Sequence, residues 1–164
     1  MANHGYMTIS GKQQGLISAG CASQESIGNK CQTSHTDEIM VLSFVHNMSN
    51  AENSKHAIHQ PIVITKNIDK STPLLAQALN DKEVVDCELT FYRVSLYGTQ
   101  EKFFTVKLKG GLIADQTMSM PHAISENDAE PQEQIAIRYR DITWIHHVAN
   151  TSGWSSWDDY AWNK

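Results

Sequence analysis

Hydrophobic and polar residues alternate along much of this chain, the signature of strands with one buried and one wetted face. The clearest case is 84–94, where Val85, Cys87, Leu89 and Phe91 alternate with Asp86, Glu88, Thr90 and Tyr92. Residues 102–109 repeat the pattern with Phe104, Val106 and Leu108 inward, and Tyr97-Gly98-Thr99 between the two runs reads as a hairpin connection. Gly110-Gly111 predicts a bulge or sharp bend before that strand continues to about Met118. Residues 6–10, 38–46, 58–65 and 134–148 are further strands, the last with a slip in apolar parity that predicts a bulge near Arg140. Three stretches read as loops: 11–37, rich in Gly, Ser and Gln; the polar 47–57; and 121–132, with two prolines.

One segment departs from this rhythm. In ITKNIDKSTPLLAQAL (64–79) a β-branched run stops, and Leu74, Leu75, Ala78 and Leu79 then fall at helical spacing. Ser71 or Thr72 can offer an oxygen to the first free amides, Pro73 suits the first helical position, and Asn80 is an acceptable stop. A helix of two to three turns cannot stand alone in water and must pack on something. Several hairpin-connected strands with a single helix predict a mainly β fold: a small, closed or nearly closed antiparallel barrel, with the helix covering one apolar open end.

Strand 38–46 is apolar or small on both faces. Ile39, Val41, Ser43 and Val45 share one face, and Met40, Leu42, Phe44 and His46 the other. A two-sided strand in so small a barrel predicts that its outer face meets another subunit or lines a shared cavity.

The 164 residues fit one domain, and 40% hydrophobic content with 19% charged residues argues against disorder. A net charge of -5 speaks against nucleic-acid binding. Apolar runs are too short for membrane insertion, and the N-terminus MANHGYMTISGK has no apolar signal core. Three cysteines, Cys21, Cys31 and Cys87, fit reduced thiols, with a switchable Cys21–Cys31 disulfide as the alternative.

Catalytic chemistry is not indicated. No GxSxG elbow, Gly-rich phosphate loop or convincing carboxylate pair occurs. His56 and His59 have HxxH spacing with His46 upstream, but no carboxylate or close cysteine accompanies them, and adjacent strand residues His146 and His147 point to opposite faces. The expectation is no enzyme, no metal and no cofactor. The tail GWSSWDDYAWNK, with three of the four tryptophans, is either a docking element or a segment lying along its own barrel.

ITKNIDKSTPLL resembles the signature of the haemolysin-coregulated protein (Hcp) family, the tube protein of the type VI secretion system. QQGLISAGCASQESIGNKCQ, DEIMVLSFVHNMS, CELTFYRVSLYGTQEKFFTVKL and PQEQIAIRYRDITWIHHVANTSGWSSW are similar, in order, to further blocks of the enterobacterial branch. The resemblance implies a phage tail-tube-like barrel with one helix, assembled as a homohexamer. Rings would stack into a tube under a VgrG-type spike, driven by a contractile sheath, with small effector proteins carried in the lumen. It implies a cytoplasmic protein before firing, secreted afterwards without a classical signal peptide. Ile68, Asp69, Lys70, Ser71, Pro73, Leu74 and Leu75 match the structural signature. Asn47, Met48, Asn50, Glu52, Lys55 and His56 match an assembly loop that reaches the next subunit or ring. Ser43 and Val45 are the lumen-facing candidates; Val45 falls where the family has a lumen serine, and Cys31 where relatives more often have an aromatic residue. About 16 residues follow Val148, too few for a further domain, so the expectation is a single tube domain with 149–164 as its tail. The alternatives are a monomeric small-ligand barrel and a cryptic hydrolase.

Overall fold

A computed structural model describes residues 3–157. The chain forms β1 (His4–Gly11), the two-residue β2 (Gly15–Leu16), a single-turn α1 (Gln24–Ile27), two 3-10 turns, and β3 (Ile39–Val45). The short strands β4 (Met48–Ser49) and β5 (Ile58–His59) pair as the stem of a hairpin, followed by β6 (Ile62–Asn67) and α2 (Thr72–Asn80). β7 (Val85–Val94) and β8 (Gln100–Ser119) form the predicted hairpin around Gly98, whose φ of 79° places it in the left-handed region. β9 (Gln132–Arg138), β10 (Asp141–His146) and β11 (Thr151–Ser156) complete the chain.

The sheet runs β11-β10-β8-β7-β1-β3-β6-β9, and β9 pairs back onto β8. Six strands therefore close into the expected antiparallel barrel, with β10 and β11 extending the sheet from the first half of β8. Closure depends on β8 bending at Gly110-Gly111. Gly110 has a φ of 64°, and a Cβ on Gly111 would meet the carbonyl oxygens of Arg138 and Val85 at 3.0 Å each. Backbone from three strands converges there, and only glycine fits without a shift.

Inside lie Met7, Ile9, Ile39, Ile62, Ile64, Leu89, Val106, Leu108, Ile135 and Ile137, all buried and joined in one cluster. From α2, Leu75 and Ala78 enter the same cluster at full burial, while Leu74 and Pro73 stay exposed. The helix thus closes one end of the barrel. Its end is a Schellman-type turn: Glu83 N–H reaches Ala78 O at 3.0 Å, Lys82 N–H reaches Leu79 O at 3.3 Å, and Lys82 takes a φ of 52°.

The structure corrects several expectations. The 11–37 stretch is not a featureless loop: β2, α1 and the 3-10 turns fold it back, burying Ile17, Ser18, Cys21 and Ala22. The fold accordingly has two helices rather than one. The 58–65 strand is two, because Pro61 lacks an amide donor and separates β5 from β6. The 134–148 strand is also two, broken at Tyr139-Arg140, where β8 passes from pairing with β10 to pairing with β9. Four residues of the Trp-rich tail (153–156) complete β11, which pairs along β10; 158–164 lie outside the described residues. Neither Ser71 nor Thr72 caps the helix through an N-cap side-chain bond; both serve Asp69 instead, as described below.

Replacing Leu75 by Ala is expected to leave a cavity beneath the helix and to cost about 2–5 kcal/mol. Urea unfolding checks this; an unchanged midpoint would mean that the stripe is not packed.

Candidate functional site

Two surfaces and two buried polar clusters carry the sequence-predicted residues. The first surface is the outer face of four neighbouring barrel strands. β3 contains a bulge at Leu42, because Val41 faces Lys66 on β6 while Ser43 already faces Thr65. The extra residue flips the parity expected for this strand. Ile39, Val41 and Phe44 face the core, whereas Ser43 and Val45 are exposed on the opposite face, so Ser43 and Val45 do not share a face with Ile39 and Val41.

The registers extend this face into two rows. Ser43 pairs with Thr65, Thr65 with Gln134, and Gln134 with Thr117. Beside it run Val45, Val63, Ala136 and Asp115. Seven of these eight side chains are uncharged, and most are small. Val45 is 62% exposed and Leu42 45%, an apolar surplus that the barrel itself does not cover. Leu42 and Met40 line an outer groove of about 520 Å³, beside which Lys30 and Glu130 form an ion pair between two loops.

The second surface is the 46–60 hairpin. Met48 and Ser49 pair with His59 and Ile58, and the arm between them exposes Asn50, Glu52, Lys55 and His56. Asn47 is exposed at the base, where its carbonyl accepts from Gln60 N–H at 3.2 Å. The expected loop residues therefore lie together on one projecting arm, with a short strand pair as its stem.

Asp69 and, through it, Ser71 of the signature residues meet beneath α2 a partner that the sequence did not reveal, the fully buried Lys66. Its ammonium donates to Glu133 in a short contact, to Asp69 Oδ1 at 2.9 Å and to Asn67 O at 3.0 Å. Thr72 Oγ1 donates to Glu133 Oε1 at 2.8 Å, and Gln116 Nε2 donates to Glu133 Oε2 at 2.9 Å. Asp69 Oδ1 also accepts from Ser71 N–H at 2.8 Å and from Ser71 Oγ at 2.5 Å, while Asp69 N–H donates to Thr72 Oγ1 at 3.1 Å. Each ammonium proton has an acceptor, and both carboxylates have further donors, which a buried charge cluster requires. The network joins β6, β8, β9 and the first turn of α2. Lys70 works outward, its N–H donating to Ser26 Oγ at 2.8 Å to hold α1 down, and Ile68 remains 38% exposed. Lys66 and Glu133 each lie one residue outside the strands that the alternation predicts, 58–65 and 134–148, where a charged residue reads as solvent-facing; β6 and β9 run far enough to bury both.

A second buried cluster was also missed. Tyr139, only 1% exposed, lies at the β9–β10 break, and its hydroxyl meets His46 Nε2 at 2.8 Å and His59 Nδ1 at 2.7 Å. Burial pushes the Tyr139 phenol far up, and burial lowers His46 and His59. The HxxH spacing therefore does not act as a pair: His59 turns inward to Tyr139 while His56 lies on the exposed arm. Among the described residues no group of three or more His, Cys, Asp or Glu side chains is placed to hold a metal ion. Cys21, Cys31 and Cys87 are free thiols; burial raises Cys21 to about 11 and Cys87 still further. Thr105 Oγ1 lies 2.7 Å from His147 Nε2, but Thr105 is fully buried and no substrate could reach it.

Replacing Lys66 by Met strands two buried carboxylates. It is expected to destabilise the fold by about 3–5 kcal/mol, measurable by urea unfolding; a change below about 1 kcal/mol would mean that the network does not hold the helix.

Comparison with known proteins agrees with this architecture. Residues 6–146 match the family model described as "Type VI secretion system effector, Hcp". The "Major exported protein" of Pseudomonas aeruginosa is 37% identical over 96% of both chains. Among solved structures, "Secreted protein Hcp3 from Pseudomonas aeruginosa" is 38% identical, covers 96% of this chain and 100% of its own, and superposes with a TM-score of 0.85. A "Crystal structure of Hcp protein" is 32% identical over 96% of this chain and 99% of its own, with a TM-score of 0.89. The chain belongs to the Hcp family of type VI secretion tube proteins.

Proposed function

We propose that this protein is the repeating subunit of a type VI secretion tube. Six copies close into a ring through heterologous contacts, rings stack beneath a VgrG-type spike, and a contractile sheath drives the stack outward. The protein is made in the cytoplasm and leaves with the tube, as the name of the exported Pseudomonas relative suggests. The observation that carries this reading is the division of the barrel surface in a chain of this family. A four-strand face of small, largely uncharged side chains, including Ser43 and Val45, is suited to line a smooth channel. A projecting polar hairpin, including Asn47, Met48, Asn50, Glu52, Lys55 and His56, is suited to reach a neighbour.

The structure is also poorly suited to the alternatives. A ligand-binding barrel needs a hollow interior, and this one is filled by core side chains and stopped by α2. Among the described residues, the Thr105–His147 contact and those of Tyr139 with His46 and His59 centre on buried hydroxyls, and the other nitrogen of the His59 ring that meets Ser155 Oγ is taken by Tyr139 rather than by a carboxylate. The proposed role is therefore mechanical and protective: the ring confines small effector proteins against the Ser43–Thr65–Gln134–Thr117 and Val45–Val63–Ala136–Asp115 rows. Val45 in place of a hydroxyl makes that wall more apolar, so cargo contacts should depend on shape and burial more than on charge. In a ring, head-to-tail contacts close only if the subunit rotation does, and the exposed Leu42 and Ile58 are among the apolar residues available for such contacts.

Native mass spectrometry is expected to show a six-fold species; monomers alone at micromolar concentration across several salt conditions would sink the ring. Shortening 47–57 to a Gly-Ser turn is expected to leave the circular dichroism spectrum unchanged, because closing a different loop length is entropically mild. Tube formation by electron microscopy and export should both fall. A folded variant that still makes tubes and is exported normally would remove the arm from assembly.

A further inference from the structure

Both ends of the projecting hairpin's stem meet one oxygen atom of the barrel, the Tyr139 hydroxyl. His46 enters the hairpin, His59 leaves it, and both imidazoles meet the Tyr139 hydroxyl at 2.8 and 2.7 Å. His59 continues the chain of contacts through Nε2 to Ser155 Oγ on β11 at 3.2 Å. Trp157 follows β11 and stacks on His59, with ring centroids 5.8 Å apart and planes within 23°. It also packs edge-on to Tyr139 at 4.9 Å. The first and last residues of the arm, the β9–β10 break and the C-terminal strand are thus joined at a single buried phenol.

We infer that His46, Tyr139 and His59 form an acid-released latch, in which proton uptake by the two imidazoles frees the hairpin stem from the barrel and β11. A phenol has one proton to give, so it can donate to one imidazole and must accept an N–H from the other. That arrangement works only when at least one imidazole presents a bare nitrogen to the phenol, as neutral histidine does. Protonating that nitrogen leaves two N–H donors aimed at one oxygen and the phenolic proton without its acceptor. Protonating both places two cations on either side of a nearly inaccessible hydroxyl, where charge is costly.

Ser155 Oγ and the Ser156 backbone can accept from a protonated His59, but the named surroundings bring no carboxylate against the two imidazoles. On β9, the Arg138 guanidinium sits over the Trp157 ring at 5.3 Å and adds positive charge to the same stack. On β10, Trp144 faces His46 at 6.5 Å. Asp141 is already engaged by Ser156 Oγ at 2.8 Å and Arg140 Nε at 3.0 Å. On the hairpin, Glu52, Lys55 and His56 lie along the exposed arm. His46 is lowered first by burial and then by the His59 charge; His59 is lowered by burial, against which a backbone contact with Ser156 works weakly.

The sign follows. A histidine whose pKa is depressed in the latched state binds protons more readily once released. The latch is therefore fully closed above the ordinary histidine value of about 6.5 and loosens as pH falls below it. With two coupled protons, the released fraction can rise by up to ~100-fold per pH unit through that window. The release itself rests on the geometry of the cluster. Its consequence, unstacking of rings in acid, rests on the proposed role of the arm.

Amide hydrogen exchange across pH 7.5 to 5, normalised to intrinsic rates, tests the latch on the full chain. Protection of 47–60 and 151–157 should fall together as pH drops, while β7 and the first half of β8 stay protected. In a His46→Gln/His59→Gln variant, which cannot titrate, this pH dependence should be lost. Imidazole resonances of the natural sequence, followed by NMR, should both titrate below 6.5, which keeps the test open if the variant fails to fold. Hairpin protection that does not change with pH, pH dependence that survives in the variant, or either histidine titrating at or above 6.5 would overturn the latch. Sedimentation of assembled tubes over the same pH range separates the two readings. Release of the hairpin without loss of stacking leaves the latch standing and removes the arm from assembly.

Discussion

β8 hydrogen-bonds to β7 along one half and to β9 along the other, and Gly110-Gly111 supply the bend that lets a single strand do both. The rest of the fold answers to that closure. A closed sheet leaves no free edges around its circumference, so the backbone is satisfied and the interior can be wholly apolar. It also leaves two open ends. α2 stops one with Leu75 and Ala78. Tyr139 and the histidines of the hairpin stem gather where β9 gives way to β10. The bend is also why β10 and β11 exist as an extension: once β8 turns toward β9, the other side of its first half is left free for them.

A helix that plugs a barrel must be held in place, and apolar packing alone does not fix its orientation. The Lys66–Glu133–Asp69 cluster does so by making one charged group answer to β6, β8, β9 and the first turn of α2 at once. Such clusters add little net stability, because desolvation offsets attraction, but they penalise any arrangement that separates the partners. Asp69 also lies where backbone N–H groups at the start of α2 can meet its charge. The Ser71 and Thr72 hydroxyls, which look like capping residues, are used to complete this cluster.

The two candidate surfaces follow from the same economy of parts. The Leu42 bulge turns Ser43 and Val45 outward and brings Phe44 inward against Phe91, with centroids 5.2 Å apart. One extra residue thereby supplies both a core aromatic and two members of the smooth outer rows. The hairpin that follows is nearly all solvent-exposed, yet its base is tied into the barrel through Tyr139. An arm of this kind can be set by a small change at its root without disturbing the core.

Much of this was legible in the sequence. The alternation in 84–94 and 102–109, the Gly110-Gly111 bend, the Leu75–Ala78 stripe and the polar arm at 47–57 are local patterns, and local patterns record which face of an element is buried. The family motif around Asp69 and Pro73 pointed to the tube-protein family before any geometry. The face on which Ser43 and Val45 lie could not be read, because a bulge reverses parity and depends on the partner strand. Lys66, Glu133, His46, His59 and Tyr139 could not be grouped, because their partners are distant in the chain and each looks like an ordinary strand or loop residue alone. Sequence periodicity determines burial along an element; which buried polar groups meet is decided by how closure of the barrel brings separate elements together.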